Sequence, residues 1–401
     1  METASLKAKV IERLQNPAFL LGVYIFVAIA AGAGEYLKGA EFGSFTHYNN
    51  FLIFRQSFPH LIHYIDLYKN HEPEHFDLYK YSPAFAIGMA PFTLLPDLPG
   101  LLIWDLLNAL ALFFAIKSLP LNNDKVKVFM FWFILQELLT SLQNSQSNGL
   151  VVALLIFGFN KFEKGNVFLA SLFILLSAYI KIFGAVALIL FLFYPDKGKF
   201  ILYSILWFFV LTFLPLLFVS FDQLMFLYKS WYNVVAQDHA TQYGISVLGL
   251  IHTWFKADAD KNMVLLAGLV LLLLPLVRFK RYKELNFRLS YLAAILIWLI
   301  IFNHRAESPT YIVAISGVAI WYFSFPKERI DTYLIIFAFV LTSFSPTDLF
   351  PRYIREHFVT PYTLKALPCI LIWIKIIFDL TSPPAPLPEE KGEMEIVNRK
   401  P

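Results

Sequence analysis

A single lysine in apolar sequence is the first candidate for chemistry. Lys181 lies in SAYIKIFGAV, between two apolar stretches of the chain. A charged side chain at membrane depth is costly unless it is paired or hydrated, so it indicates a functional site by default. A lysine in such a place can bind phosphate as a point charge. The simpler alternative is a lysine whose ammonium group snorkels to the membrane surface at a helix end.

An amide-rich segment could bind a sugar. LQNSQSNGL (142–150) separates two apolar stretches and contains Gln146 and Asn148. Their side-chain amides both donate and accept hydrogen bonds, which is what sugar hydroxyls require. Asn144 and the neighbouring serines are also favoured helix caps, so capping is an alternative that can coexist with binding.

The first long polar segment of the chain supplies candidate bases. It contains Asp66, Glu74 and Asp77, followed by Lys80 and Tyr81. A carboxylate beside an apolar membrane face can have a raised pKa and act as a general base, and the lysine and the tyrosine are predicted to contact substrate. The alternative is that each carboxylate is only a solvated loop charge.

A histidine and an arginine follow a later apolar stretch. His304 and Arg305 lie in IFNHRAESP. Arg305 could bind phosphate, which suits the fork of the guanidinium group, or it could form a salt bridge with Glu307. The sequence therefore predicts either a second phosphate contact or a structural ion pair.

Several classes of site and partner lack support in the sequence. The nine histidines have no metal-ligand spacing such as HExxH, and the one cysteine, Cys369, is in an apolar run. No P-loop or GxGxxG occurs, which argues against a nucleotide-driven pump. The formal charge of +4 is too small to indicate a nucleic-acid partner. We therefore predict no metal, no cofactor and no nucleic acid.

The elements that position these residues are predicted to be membrane helices. Hydrophobic residues make up 58% of the 401 residues and charged residues only 15%, whereas soluble domains have about 25% charged residues. A helix needs about 20 apolar residues to cross a bilayer. The apolar stretches predict an all-α, polytopic transmembrane bundle of roughly 11–13 spans with a long extracytoplasmic first loop.

Lysine and arginine in short loops predict the orientation, because cytoplasmic loops are enriched in both. They indicate a cytoplasmic N-terminus (1–16) and a bundle over 17–380 with extracytoplasmic loops at 35–82 and 221–262. The polar tail, 381–401, is predicted to be disordered and cytoplasmic. The multi-pass protein would lie in the inner (plasma) membrane.

One short apolar stretch has two possible placements. Residues 83–95 are bounded by Pro83 and Pro96. If Lys117 and Lys125 are cytoplasmic, this stretch is re-entrant or lies on the membrane surface. If it crosses, the segments that follow are inverted. The first placement is preferred, because it keeps the later lysine-rich loops together inside.

The order of several short motifs resembles glycosyltransferase family 87. The first loop contains NNFLIFRQSF and FDLYKYSPAFAIGMAPFTLLP, which are similar to the family's DFxxYYxAA and FxYxPxxALLxxPLxLLP. Further similarities are LIWDLLN (102–108) to LWxLLN, SQSNGL (145–150) to GQxNxLL, Lys181 to the lysine of (I/K)KxxP, SVLG (246–249) to SLxG, and Ser308-Pro309. Together they cover about residues 49–310.

The resemblance implies a GT-C type fold with an extracytoplasmic active site. It implies an inverting hexosyltransferase that transfers a hexose, often mannose, from a polyprenyl-phosphate sugar donor to a lipid-linked or glycan acceptor, among membrane lipids. Lys181 and Arg305 would hold phosphate, and Gln146 and Asn148 would hold the sugar or order the site. The other predicted substrate contacts are Asn50, Lys80, Tyr81 and His304.

Two positions depart from the family pattern. Asn50 stands where the family has the aspartate of DFxxY, and a neutral amide cannot act as a general base. A first-loop carboxylate would replace it, with Asp66 first and Asp77 and Glu74 behind it. Gly184 stands where the family often has proline. The alternatives are a transporter or flippase of lipid-linked sugars and a catalytically inactive lipid-binding homologue, which Asn50 favours.

Overall fold

The computed structural model describes residues 9, 11–41, 45–72, 74–121, 123–236, 243–325 and 327–382. These residues are mainly helical, and one two-residue antiparallel ladder pairs β1 (Ala40–Glu41) with β2 (Phe45–Thr46). The α-helices are α1 (Pro17–Leu37), α2 (Asn49–Ile62), α3 (Pro83–Gly88), α4 (Ala90–Thr93), α5 (Asp97–Lys117), α6 (Asp124–Gln143), α7 (Asn148–Glu163), α8 (Val167–Ile180), α9 (Lys197–Phe213), α10 (Phe221–Ala236), α11 (Val247–Phe255), α12 (Lys261–Leu273), α13 (Leu285–Ile301), α14 (Tyr311–Phe323), α15 (Arg329–Phe337), α16 (Arg352–Ile354) and α17 (Leu367–Thr381). Segments of 3₁₀ helix are Ile182–Phe193, Leu214–Leu217, Leu274–Val277, Phe279–Lys283 and Ser308–Thr310, and π-helical segments are Ala338–Phe344 and Arg355–Val359.

Polar caps and prolines begin several of these helices. The side chain of Asn16 accepts hydrogen bonds from two backbone N–H groups of α1, and Pro17 is the first helical residue. Ser82 and Pro83 begin α3 in the same way. The first N–H groups of a helix have no partner within it, so a capping side chain and a proline are favoured there.

Among the described residues, four helices are long and apolar enough to cross a membrane. They are α1, α5, α6 and α9 together with its 3₁₀ extension. Shorter apolar helices of 10–17 residues, among them α8, α13 and the 3₁₀ helix Ile182–Phe193, pack beside them. The predicted all-α, polytopic class is therefore confirmed. The number of spans, roughly 11–13, stays a prediction, as does the division of the chain into loops and termini.

The centre of the bundle is the pair α13 and α14. Side chains from Leu292 to Ile301 are at most 5% exposed. On the outside, α9 exposes Leu202, Phe208 and Phe209, which is the distribution expected of a helix that faces lipid. Because the central helices are packed on all sides, their ends are fixed, and the loops that join them are held in place.

The two ends of the bundle differ in charge. At one end, here called the basic face, the guanidinium of Arg288 donates to both oxygens of Glu163 at 2.6 and 2.8 Å. Arg278 donates at 2.6 Å to the carbonyl of Thr381, the last residue of α17. The lysine- and arginine-rich loops thus meet where α7 ends and α13 begins. The opposite end, here called the site face, contains the end of α6, the start of α7 and the turn after α8.

The short apolar stretch 83–95 does not form a spanning helix. It is broken into α3 and α4, of 6 and 4 residues. At 1.5 Å per residue each is roughly 10 Å long or less, far below the roughly 30 Å of a bilayer core. Ser82 bonds the end of α8, and Arg55 of α2 bonds Asp97 at the start of α5. Residues 83–117 therefore contain one long helix, which agrees with the preferred placement.

Two predictions fall on parts of the chain outside the described residues. Of the predicted disordered tail, 381–401, all but the first two residues lie outside the described residues, as do residues 1–8 and 10 of the predicted N-terminal segment, 1–16. Of the second loop, 221–262, the structure describes α10 and α11, whereas residues 237–242 lie outside it.

Candidate active site

Lys181 lies in the turn of a helical hairpin. Its backbone N–H donates to Ser177 at 2.7 Å, and its carbonyl accepts from Gly184 at 2.8 Å, so that the 3₁₀ helix Ile182–Phe193 folds back on α8. A Cβ atom at position 184 would lie 2.5 Å from the Ser177 hydroxyl. The close approach explains why glycine, and no residue with a side chain, occupies this position.

The ammonium group of Lys181 bonds a buried amide. Its Nζ donates to Oδ1 of Asn148 at 2.6 Å, and Nδ2 of Asn148 donates to the carbonyl of Pro309 at 2.8 Å. Asn148 is fully buried and is the first residue of α7. The contact between the lysine and the amide-rich segment joins α7, the hairpin and the segment before α14.

Helix α5 holds the amide-rich segment in place. The indole N–H of Trp104 donates to Ser145 at 2.9 Å, and Oδ1 of Asn108 accepts from the backbone of Leu150 at 2.9 Å. Gln146 lies in this segment and is 9% exposed. Trp104 and Asn108 thus position the segment that contains Gln146 and Asn148.

Tyr81 reaches the same place from the first loop. Burial raises its pKa; the Ser147 hydroxyl opposes that rise, and the charges of Glu307 and Asp77 add to it. Glu307 also acts electrostatically on Lys181. The side chain of Tyr81 therefore lies among the amide-rich segment, Glu307 and Asp77, as a protonated hydroxyl that can donate a hydrogen bond.

The backbone around Tyr81 is fixed by three contacts. Tyr68 donates to its carbonyl at 2.9 Å, and the next residue, Ser82, donates from its hydroxyl to Tyr179 at 2.7 Å. The carbonyl of Lys80 accepts from the indole of Trp231 on α10 at 3.1 Å. The loop before α3 is thus held between the two helices α8 and α10.

The three predicted bases lie in different surroundings. Both oxygens of Asp66 accept from the Ser230 hydroxyl of α10, at 2.9 and 3.0 Å. Glu74 lies 2.8 Å from Nε2 of His60. Asp77 accepts from Lys80 at 3.1 Å, and among the three its charge is the one that acts on Tyr81.

The side-chain amide of Asn50 donates a hydrogen bond that an aspartate could not donate. Its Nδ2 bonds the carbonyl of Asn144 at 2.9 Å, so that α2 is fastened to the start of the amide-rich segment. A carboxylate has no hydrogen to donate to that carbonyl. The amide at this position therefore has a bracing role at the edge of the site.

His304 and Arg305 lie in the segment that supports the second loop. The carbonyl of His304 accepts from Gly244, and that of Ala306 accepts from Ile245, both at 2.7 Å. Burial lowers the pKa of His304, and the neighbouring Lys261 lowers it further. A neutral imidazole carries no positive charge for phosphate. Arg305 is half-buried beside it. Asp238 and His239, two polar residues of the second loop, lie outside the described residues.

A further lysine at the site face is buried and was not predicted from the sequence. Lys365, 4% exposed, donates to Oε1 of the fully buried Glu137 at 2.9 Å and to the Ser308 hydroxyl at 2.8 Å. A glutamate in the apolar sequence of α6 was a signal that could have been read, because such a residue needs a partner. Its partner is 228 positions away, and no local pattern joins the two.

A known family matches the part of the chain that contains several of these residues. The model of glycosyltransferase family 87 matches residues 79–301, just over half of the chain. The matched range includes Lys80, Tyr81, Gln146, Asn148 and Lys181. No curated protein matches the chain. The resemblance inferred from the motifs is confirmed.

Proposed function

Because the chain belongs to glycosyltransferase family 87, we propose that it transfers a hexose, with mannose as the first candidate, from a polyprenyl-phosphate sugar to a lipid-linked or glycan acceptor. The reaction would take place at the site face and invert the anomeric centre. The observation that carries the proposal is Lys181, a cation whose hydrogen-bond partner is the neutral amide of Asn148.

A lysine with a neutral partner suits a phosphate ligand. An ammonium group taken out of water is costly unless an opposite charge accompanies it. The amide oxygen of Asn148 orients the ammonium group without neutralising it. A phosphate of the donor would complete the site, with Gln146 and Tyr81 as hydrogen-bond partners for the sugar or for the phosphate.

The distribution of charge supports an extracytoplasmic site. The loops rich in lysine and arginine meet at the basic face, and such loops are usually cytoplasmic. We therefore place the basic face and the end of α17 in the cytoplasm and the site face outside, in the inner (plasma) membrane. A donor carried on a polyprenyl chain would enter the site from within the bilayer.

The proposed step is a displacement at the anomeric carbon. An acceptor hydroxyl oxygen forms the new bond to this carbon, and the bond from the carbon to the phosphate oxygen breaks with its electron pair on the polyprenyl phosphate. A carboxylate takes the proton of the hydroxyl. Lys181 stabilises the charge that develops on the departing phosphate.

Asp77 is the first-loop carboxylate that we place first as the base. Its charge acts on Tyr81, which lies beside the amide-rich segment. Asp66, the first choice from the sequence, accepts from Ser230, and Glu74 is paired with His60. Glu307 is a further candidate, since its charge acts on both Tyr81 and Lys181.

The test is transfer by the purified protein. Radiolabelled undecaprenyl-phosphate mannose and undecaprenyl-phosphate glucose are supplied with bacterial membrane lipids as acceptors, and labelled products are separated by chromatography. Lys181→Gln is expected to abolish transfer. Lys199→Gln, at a 66% exposed lysine in the first turn of α9 on the basic face, is the matched control and should keep it.

Other outcomes would contradict the proposal. A donor that is not consumed but crosses liposome membranes in a protein-dependent way would favour a transporter. A donor that is bound and neither consumed nor moved would favour a non-catalytic lipid-binding protein.

A further inference from the structure

A cavity of about 760 Å³ opens at the site face, beside Lys365. Its walls come from α6, from the backbone before α11 and from the segment 344–365 between α15 and α17. Small-molecule sites usually enclose about 300–1,000 Å³. The whole of the wall contributed by 344–365 lies outside the range 79–301 that the family model matches.

One wall of the cavity is unusually polar for a membrane helix. Gln136, Thr140 and Gln143 line it from α6, at spacings of four and three residues that place them on one helix face. Thr347 and Thr363 line it from the other side. Polar side chains on a spanning helix usually face water or a ligand.

The charges that line the cavity are balanced. Lys365 is paired with Glu137 at 2.9 Å, and Arg355 lies 3.6 Å from Asp348 and donates to the carbonyl of Thr347 at 2.9 Å. With each cation matched by a carboxylate, an anionic ligand finds no surplus positive charge. Amides and hydroxyls without net charge suit a neutral, hydroxyl-rich ligand.

The cavity and the Lys181 site share a wall. Ser308 lines the cavity and accepts from Lys365, whereas the next residue, Pro309, accepts from Asn148, the partner of Lys181. Glu307 precedes both, and its charge acts on Lys181. A ligand in the cavity would therefore lie across one short stretch of backbone from a donor phosphate at Lys181.

We propose that this cavity binds the acceptor through a neutral carbohydrate group. This inference rests on the proposed function, since it gives the acceptor a place opposite the donor. The polar face of α6 would hold the acceptor hydroxyls, and the shared wall at Ser308 and Pro309 would set the distance between acceptor and donor.

Photolabelling tests the cavity directly. The probe is an octyl glucoside with a diazirine on its sugar, used on the full-length protein in nanodiscs, with labelled peptides identified by mass spectrometry. We expect labels in 136–143 and 344–363, and we expect excess methyl glucoside to remove them. Thr140→Trp, which fills the cavity, should lower labelling at least about tenfold, as loss of one or two good hydrogen bonds would.

Controls separate the cavity from folding and from catalysis. Phe129→Trp, at a 54% exposed position of the same helix, should label as the unmodified protein does. Gln143→Ala is a milder change at the exposed end of α6 and should also lower labelling. Lys181→Gln should leave labelling unchanged, because Lys181 does not line the cavity.

The inference fails if the labels lie elsewhere, if Thr140→Trp and Gln143→Ala label normally, or if a diazirine probe with a phosphate head group labels the cavity more strongly than the glucoside. The two proposals fail separately. Normal cavity labelling in a protein without transferase activity would overturn the proposed function alone. If Thr140→Trp transfers the hexose with an unchanged acceptor KM, only the proposal that the cavity binds the acceptor is wrong.

Discussion

Two lysines lie at the same face of the molecule, the buried Lys365 and the half-buried Lys181, and they differ in their partners. Lys365 donates to the carboxylate of Glu137 at 2.9 Å and to the Ser308 hydroxyl, whereas Lys181 donates to the neutral amide of Asn148 at 2.6 Å. In the described part of the chain, the charge of Glu307 reaches Lys181 only from beyond ion-pair distance. The charge of Lys365 is neutralised by a carboxylate, and this ion pair holds helices together. The charge of Lys181 is oriented by an amide that does not neutralise it, so it is available to a ligand.

Among the carboxylate variants, the largest expected effect is the loss of Asp77, the proposed base. Asp77→Asn keeps the shape of the side chain but cannot take a proton, so kcat should fall about 10²–10⁴-fold. Asp66→Asn and Glu74→Gln should change kcat far less. The measurement is the initial rate of transfer at saturating donor and acceptor.

Two results would change this assignment. If kcat falls only in Glu307→Gln, the base is Glu307, the carboxylate whose charge acts on Lys181. Equal small losses in all four variants would mean that none of these carboxylates is the base.

Removal of Lys365 should cost stability. Lys365→Met leaves the carboxylate of Glu137 buried without its partner, which typically costs about 3–5 kcal/mol. The double variant Lys365→Met/Glu137→Leu removes both charges and should recover most of that loss. Unfolding in detergent, followed by the near-ultraviolet circular dichroism signal, measures both. If Lys365→Met is as stable as the unmodified protein, the proposed difference in role between Lys365 and Lys181 is wrong.

A carboxylate beside Lys181 should make this lysine resemble Lys365. In Asn148→Asp the ammonium group gains an internal counter-charge, which should weaken donor phosphate by about tenfold or more, since charged hydrogen bonds contribute roughly 1.5–3 kcal/mol. The readout is the donor KM, with Asn148→Leu as the control that lacks both charge and amide. A donor KM that rises in Asn148→Leu but not in Asn148→Asp would contradict the proposed role of the uncompensated charge.

The sequence predicted the Lys181 half of the site and missed the Lys365 half. Lys181 is flanked by apolar residues, and the amide-rich segment with Gln146 and Asn148 separates two apolar stretches, so their polarity stands out locally, and short motifs link them to a family. The contact between Lys181 and Asn148 spans 33 positions and joins neighbouring helices. Glu137 and Lys365 pair across 228 positions, and a pairing of that kind depends on how the whole bundle packs.

The ranking of the carboxylates needed the structure for a similar reason. The sequence placed Asp66 ahead of Asp77 and Glu74, and the partners of the three carboxylates suggest a different order. Ser230 of α10, His60 of α2 and Lys80 come from three separate parts of the chain. Asn50, which looked like a lost base, was understood only from the carbonyl that it bonds.

The smallest expected effect is a change of local stability with pH, which we expect in the first loop and not in the segment 344–363. Burial lowers the pKa of His60 and of His75; the charge of His71 lowers both further, and Glu74 opposes these changes. A histidine with a lowered pKa in the folded state contributes stability above its unfolded pKa of about 6.5, and this stability is lost as the pH falls. The protection factors of residues 60–77, which correct the exchange rates for the intrinsic pH dependence of amide exchange, should therefore fall between about pH 7.5 and 5.5. His60→Gln/His75→Gln should remove most of that dependence, while protection factors in 344–363 should stay constant in both proteins. An equal fall in both segments would mean that the whole bundle loosens in acid, and that the two halves of the site face are not independent.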